Sequence, residues 1–241
     1  MTGGFGPDSR GVWCNDSSPG AVARLAGGGF DWVCLDAQHG VYGRSELVEA
    51  ARSFRTDAAE LAVRVAANDF AAIGAALDVG ATTVIVPQVD APAEAARAVA
   101  ATYYPPQGRR SWGQITRTWG RPSVEPEAMN AATTCAVMVE SADALDSVEA
   151  IAAVPGVDCL FIGPYDLALT LGTTVDALLD DDSHDAALTR IAAAAADHDL
   201  FVGAFGGAPA YAERFAGRGI TCRVVATDLW LHDAGVAAAL G

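Results

Sequence analysis

The chain has 241 residues, 51% of them hydrophobic and 19% charged, which is enough to bury one large core and reads as a single domain over residues 1–241. Its net charge of −15 opposes nucleic-acid backbones and anionic membrane surfaces, leaving small molecules and other protein subunits as the expected partners. All 15 basic residues are arginines, which excludes a lysine Schiff base, a lysine-anchored pyridoxal phosphate and a P-loop lysine.

No apolar run approaches the roughly 20 residues of a membrane span. The opening "MTGGFGPDSRG" lacks a basic segment followed by an apolar one, so a soluble, cytoplasmic protein is expected. Cys14, Cys34, Cys135, Cys159 and Cys222 show no CxxC spacing and mostly fall in β-like runs, as reduced core thiols would.

In chain order the β-like runs are "GVWCN", "DWVCLD", "LAVRVAA", "TTVIVPQ", "CAVMVE", "CLFIG", "FVGAF" and "CRVVAT". Between them lie helical stretches: "PGAVARLAGGG", "RSELVEAARSF", "DFAAIGAALDVGA", "PAEAARAVAATYY", "ADALDSVEAIAAVPG", "HDAALTRIAAAAADHD" and "APAYAERFAGRG". Strict alternation of short buried runs with alanine-rich helices predicts repeated βα units and a parallel sheet. About eight strands, with no glycine-rich fingerprint after the first, favour a closed (β/α)8 TIM barrel over an open doubly wound sheet. Two irregular insertions interrupt the alternation. Residues 104–127 pack four arginines and two tryptophans after strand four and are expected on the active-site face, as an anion-binding lid or an interface. Residues 169–185 contain Asp180 to Asp182, which read as a solvated approach to a helix.

In a barrel the C-terminal ends of the strands converge on one mouth, and here those ends are polar. Strand two ends in Asp36, Gln38 and His39; strand three carries Arg64 and reaches Asn68 and Asp69; strand four ends in Gln88 and Asp90. Strand five ends in Glu140, and strand six is expected to run through "FIGPYD" to Asp166. A lone carboxylate there is usually a helix cap, but two facing one cavity repel unless a cation lies between them, and oxygen ligands suit Mg2+ or Mn2+. His39 beside such a site is a candidate acid/base, whereas His184, His198 and His232 read as surface residues. Arg64, in an otherwise apolar strand, needs an anion: a structural carboxylate or a substrate oxygen.

The segments "FDWVCLDAQHG", "VRVAANDF", "LDVGATTVIVPQV", "YYPPQGRRSWG", "VMVESADAL" and "VPGVDCLFIGPYDLALTLG" resemble, in order and spacing, the class II pyruvate aldolases of the 4-hydroxy-2-oxoheptanedioate and 2-dehydro-3-deoxyglucarate aldolase type, over roughly residues 11 to 235. The resemblance implies a (β/α)8 barrel with a divalent ion (Mg2+, Mn2+ or Co2+) held by Glu140 and Asp166. It implies 2-oxo acid and aldehyde substrates, enolate stabilisation by Arg64, proton transfer by His39 and positioning of polar groups by Asp36. Asp78 matches an acid that the family brings to the histidine across a subunit interface, which implies a homo-oligomer, often a hexamer.

The chain departs from the family pattern at four places. Gln38 stands where relatives carry glutamate, Met138 where they carry glutamine, Tyr165 where they carry a small residue, and Ser111 where they carry a glycine between Arg110 and Trp112. Gln38, Met138, Gly163, Pro164, Tyr165, Arg110 and Trp112 are therefore the expected substrate-binding set. Cleavage of a 4-hydroxy-2-oxo acid, or the reverse condensation, is the leading expectation. Oxaloacetate-type decarboxylation or another C–C bond-forming step through the same enolate is the alternative; a coenzyme A lyase and a non-catalytic barrel are weaker ones.

Overall fold

A computed structural model describes residues 4–54 and 57–241. Eight strands form one closed, parallel barrel: β1 (Arg10–Cys14), β2 (Trp32–Asp36), β3 (Glu60–Arg64), β4 (Thr83–Val86), β5 (Thr134–Val139), β6 (Cys159–Ile162), β7 (Phe201–Phe205) and β8 (Cys222–Thr227). Each pairs with the next, and β8 returns to β1. The expected (β/α)8 architecture is the one observed.

Strands in such a barrel are covered on both faces, which is why β2, β4 and β6 are buried at every position and, but for the terminal acid Asp36 and the hydroxyl of Thr83, are apolar runs without alternation. The pleat sends alternate residues to two cores. Trp13, Trp32, Cys34, Ile85 and Phe161 fill the barrel interior, while Val33, Leu35, Val63 and Val137 face helix residues such as Leu47, Ile73 and Ile191. Phe5 closes the N-terminal end of the interior, its ring 4.8 Å from Trp32 and 5.8 Å from Phe201.

Helix starts follow local chemistry. The helices Pro19–Ala26, Pro92–Thr102, Pro126–Ala131, Pro164–Thr170 and Pro209–Gly217 begin on proline, whose missing N–H costs nothing there. Asp69 caps Phe70–Asp78 and Thr227 caps Asp228–Leu240 through side-chain oxygens.

Several expected boundaries move. β3 stops at Arg64, so Asn68 and Asp69 lie in the following loop, and β4 stops at Val86 before Gln88 and Asp90. β6 stops at Ile162 rather than running to Asp166, because Pro164 opens a helix and Asp166 sits in its first turn. The stretch 142–156 splits at Ser147 into Ala142–Asp146 and Val148–Ala152. The insertion 169–185 holds a further helix, Val175–Asp180.

The insertion 104–127 follows the helix Pro92–Thr102, which has already carried the chain back to the N-terminal end of the barrel. There Arg121 donates to the Ala51 and Phe54 carbonyls that end the helix Arg44–Ser53. Its expected place on the active-site face is thereby corrected: a segment between a helix and the next strand lies at the opposite end from the strand mouths.

Candidate active site

At the C-terminal ends of the strands a cavity of about 180 Å³ opens. Trp13 and Asn15 reach it from β1 and its loop, Asp36 and His39 from β2, Arg64 from β3, and Met138 and Glu140 from β5. Gly163, Pro164, Tyr165 and Asp166 come from the β6 loop and Phe205 from β7.

Asp36 organises one side. The register pairs Asp36 with Arg64 at the ends of adjacent strands. Arg64 spans Asp36 with two charge-assisted bonds, Nε to Oδ1 at 2.8 Å and Nη2 to Oδ2 at 2.5 Å. Trp13 Nε1 and Asn15 Nδ2 also donate to Oδ2, at 3.2 and 3.0 Å, and the backbone N–H groups of Gln38 and His39 donate to Oδ1. Burial works to raise this carboxyl, but Arg64 and the surrounding donors outweigh it and hold Asp36 below its ordinary range. The same bonds wrap residues 36–39 around the carboxylate and set His39, exposed, at the rim. Gly40 is required by close approach: a Cβ there would lie 2.4 Å from the Asp36 carbonyl oxygen and 2.7 Å from that of Asn15. Asn15 is fixed in turn by Asp228, which accepts its backbone N–H at 3.0 Å.

Glu140 and Asp166 form the other side. Glu140 is buried, and one of its oxygens accepts the backbone N–H of Gln88 at 2.7 Å. Gln88 has φ 55, a left-handed conformation that turns this amide onto the carboxylate. Burial raises the Glu140 carboxyl, the Gln88 amide lowers it, and the negative charge of Asp166 raises it again; the net shift is upward. Two carboxylates thus press on one cavity. Gly163 lies against them, where a Cβ would come within 2.7 Å of Glu140 Oε2 and 2.9 Å of the Met138 methyl.

This donor set fits a hard divalent cation: it offers oxygens only, its charges repel without a counter-ion, and two protein ligands leave positions for water or substrate. Among the described residues no group of three or more His, Cys, Asp or Glu side chains is placed to hold a metal, so Glu140 and Asp166 would hold it as a pair.

Four expected residues lie apart from this cavity within the chain. Gln38 gives its backbone N–H to Asp36, but its side-chain oxygen is buried without a partner. Arg110 and Asp78 form an ion pair at 3.0 Å at the N-terminal end of the barrel, with Arg110 buried over the Tyr104 ring and Trp112 stacked obliquely on Tyr104. A cavity of about 380 Å³ beside Asp78, Thr116 and Arg121 lies at that end, with neither a carboxylate pair nor a histidine in its walls.

Other polar strand ends have structural work: Asp69 caps a helix, and Asp90 accepts from Ser141, itself a helix cap. His184, His198 and His232 are exposed, and all five cysteines are free and buried, their thiols pushed up by burial. Trp13, Asn15 and Phe205 are site elements that reading polar strand ends passed over, and Gln88, expected there for its polar side chain, enters through its backbone amide instead. Asn15 does end "GVWCN", but the aromatic residues are indistinguishable from core in a sequence.

The family profile described as HpcH/HpaI aldolase/citrate lyase matches residues 9–232. A 4-hydroxy-2-oxovalerate aldolase of Novosphingobium aromaticivorans is 38% identical over 198 residues, covering 78% of this chain and 73% of the relative. A 5-keto-4-deoxy-D-glucarate aldolase of Shigella boydii is 34% identical over 221 residues, covering 91% and 85%. The crystal structure of a family protein from Burkholderia cenocepacia J2315 superposes with a TM-score of 0.85 at 33% identity, covering 99% of this chain and 95% of that one.

Proposed function

The chain belongs to the HpcH/HpaI aldolase/citrate lyase family and is a carbon–carbon lyase of the aldolase type, and from that premise we propose that it cleaves a 4-hydroxy-2-oxo acid to pyruvate and an aldehyde, or condenses them, at the cavity of Glu140, Asp166, His39 and Arg64. The observation that carries the reading is the convergence on one strand-end cavity of a carboxylate pair, a histidine and an arginine fixed by a buried aspartate.

Glu140 and Asp166 would hold the divalent ion, Mg2+, Mn2+ or Co2+. When bound, the ion supplies the Lewis acidity that a chain without lysine otherwise lacks for polarising a 2-oxo group. Arg64 is aimed rather than mobile: Asp36 takes Nε and Nη2, so a substrate carboxylate or enolate oxygen meets Nη1. Charge on that oxygen grows as the C–C bond breaks, so a fixed guanidinium favours the transition state over the ground state. His39, at the rim, takes the proton of the C4 hydroxyl in cleavage and returns it in condensation. Asp36 acts by positioning, since its oxygens are occupied by Arg64, Trp13, Asn15 and the turn leading to His39.

Asp78 is assigned to the same proton relay from a neighbouring copy, in a homo-oligomer, hexameric by this reading, working in the cytoplasm. Within one chain Asp78 is at the far end of the barrel, so a role at the cavity requires a second subunit. No helix among the described residues is long and apolar enough to cross a membrane.

Excess chelator should stop pyruvate release from a 4-hydroxy-2-oxo acid, and added Mg2+, Mn2+ or Co2+ should restore it; full turnover in chelator overturns the reading. Exchange of pyruvate methyl protons in D2O without cleavage of any hydroxy-oxo acid would move the same enolate chemistry to a decarboxylation or a synthetic step.

A further inference from the structure

Beyond the carboxylates the cavity wall is aromatic. Phe205, the last residue of β7, meets Trp13 edge-on at 5.1 Å between centroids and Tyr165 edge-on at 6.1 Å. It thereby links a buried ring in the floor to an exposed one on the rim. The floor is stiff: Trp13 stacks on Phe161 at 6.0 Å, and its indole N–H is held by Asp36. The loop after β7 runs directly against the Phe205 ring and admits no side chain there. Gly207 has φ +71, and a Cβ there would stand 3.0 Å from Phe205 Cε1.

The charges point the same way. Among the described residues that line the cavity Arg64 is the only permanently cationic side chain, and two of its nitrogens are held by Asp36. Asp36 neutralises it, and a divalent ion on Glu140 and Asp166 would neutralise those two, so the lining carries no cationic excess. An acceptor carrying a second carboxylate would lose its water to ring faces, with no guanidinium of this cavity left to receive it once Arg64 and the ion hold the 2-oxo acid, and with Arg110, which accompanies Asp78, buried and already paired with it.

We propose that the acceptor half of the site takes an uncharged aromatic or bulky apolar aldehyde, packed against Phe205, Tyr165 and Trp13, in preference to a semialdehyde bearing a second carboxylate. This specificity rests on the aldolase reading above. The cleaved substrate is R–CH(OH)–CH2–CO–COO⁻ with R an aryl group. The hydroxyl loses its proton to the base, the C3–C4 electron pair passes to C3, C3 takes a proton to become the methyl of pyruvate, and R–CHO leaves, with no net oxidation.

The test compares kcat/KM of the metal-supplied enzyme for 4-hydroxy-2-oxo-4-phenylbutanoate and for 4-hydroxy-2-oxoheptanedioate, with deuteration of pyruvate in D2O followed in parallel. The phenyl substrate should be preferred by about 10-fold or more, and Phe205→Leu should shrink that ratio by about 3- to 10-fold, the worth of edge-on ring contacts. Equal or better cleavage of the dicarboxylate overturns the proposal, as does deuteration of pyruvate with neither substrate cleaved. A ratio unmoved by Phe205→Leu overturns the assignment of selectivity to that ring. Absence of both deuteration and cleavage overturns the aldolase reading itself, and this specificity with it.

Discussion

At the scale of single residues, Asp36 shows how burial and pairing compete. Its side chain has no exposure and that of Arg64 has 11%, so the ion pair is worth having only because every lone pair finds a donor. A carboxyl held below its unfolded value adds stability that is complete above the unfolded pKa, about 3.8, and is lost as pH falls through the lower folded value. Urea unfolding of the wild type should therefore weaken below pH of about 4, and Asp36→Asn should remove this contribution to the acid limb. At neutral pH the same substitution should cost about 3–5 kcal/mol, because it strands the Arg64 charge. Activity should fall with it, as Arg64 and the His39 turn lose their anchor. Asp36 and His39 were legible as polar strand ends. That Arg64 is fixed by Asp36 was open, since the sequence does not contain the register that sets the two side by side.

At the scale of elements, β6 and β7 show what patterning conveys. The apolar runs "CLFIG" and "FVGAF" locate both strands, and β7 ends where its apolar run ends. The end of β6 is decided by Pro164 instead, which turns the expected strand-end acid into a first-turn helix residue. Gly203 is the other decisive letter. It faces Phe161 across the register, and a Cβ would come 2.6 Å from Phe161 Cδ2. Gly203→Ala should destabilise by about 1–3 kcal/mol through overpacking, read as a lower urea midpoint, and should alter the near-ultraviolet circular dichroism of the Trp13–Phe161–Phe205 stack. A glycine inside a strand could equally have marked a bulge, and only the facing ring assigns it to packing.

At the scale of the whole molecule, charge and topology act over distances that no motif covers. With 30 acidic and 15 basic residues the compact state repels itself, and that repulsion is screened by salt. The thermal midpoint should rise between about 0.01 M and 0.15 M salt, where the Debye length shrinks from about 30 Å to 8 Å; a flat or falling midpoint would show that local ion pairs dominate.

Topology separates the insertion 104–127 from the mouth. Its arginines suggested an anion site, but its position after a helix places Arg110 and Trp112 at the N-terminal end with Asp78. The sequence by itself determined the barrel, because short apolar runs alternating with helices leave few other ways to bury both faces of eight parallel strands. It also determined the absence of lysine chemistry and the family. Only the tertiary structure decided which polar letters share a cavity, which acid fixes the arginine, and that Trp13, Tyr165 and Phe205 form one wall. The reason is physical: composition and period act along the chain, whereas register, barrel closure and ring contacts arise between residues that only folding brings together.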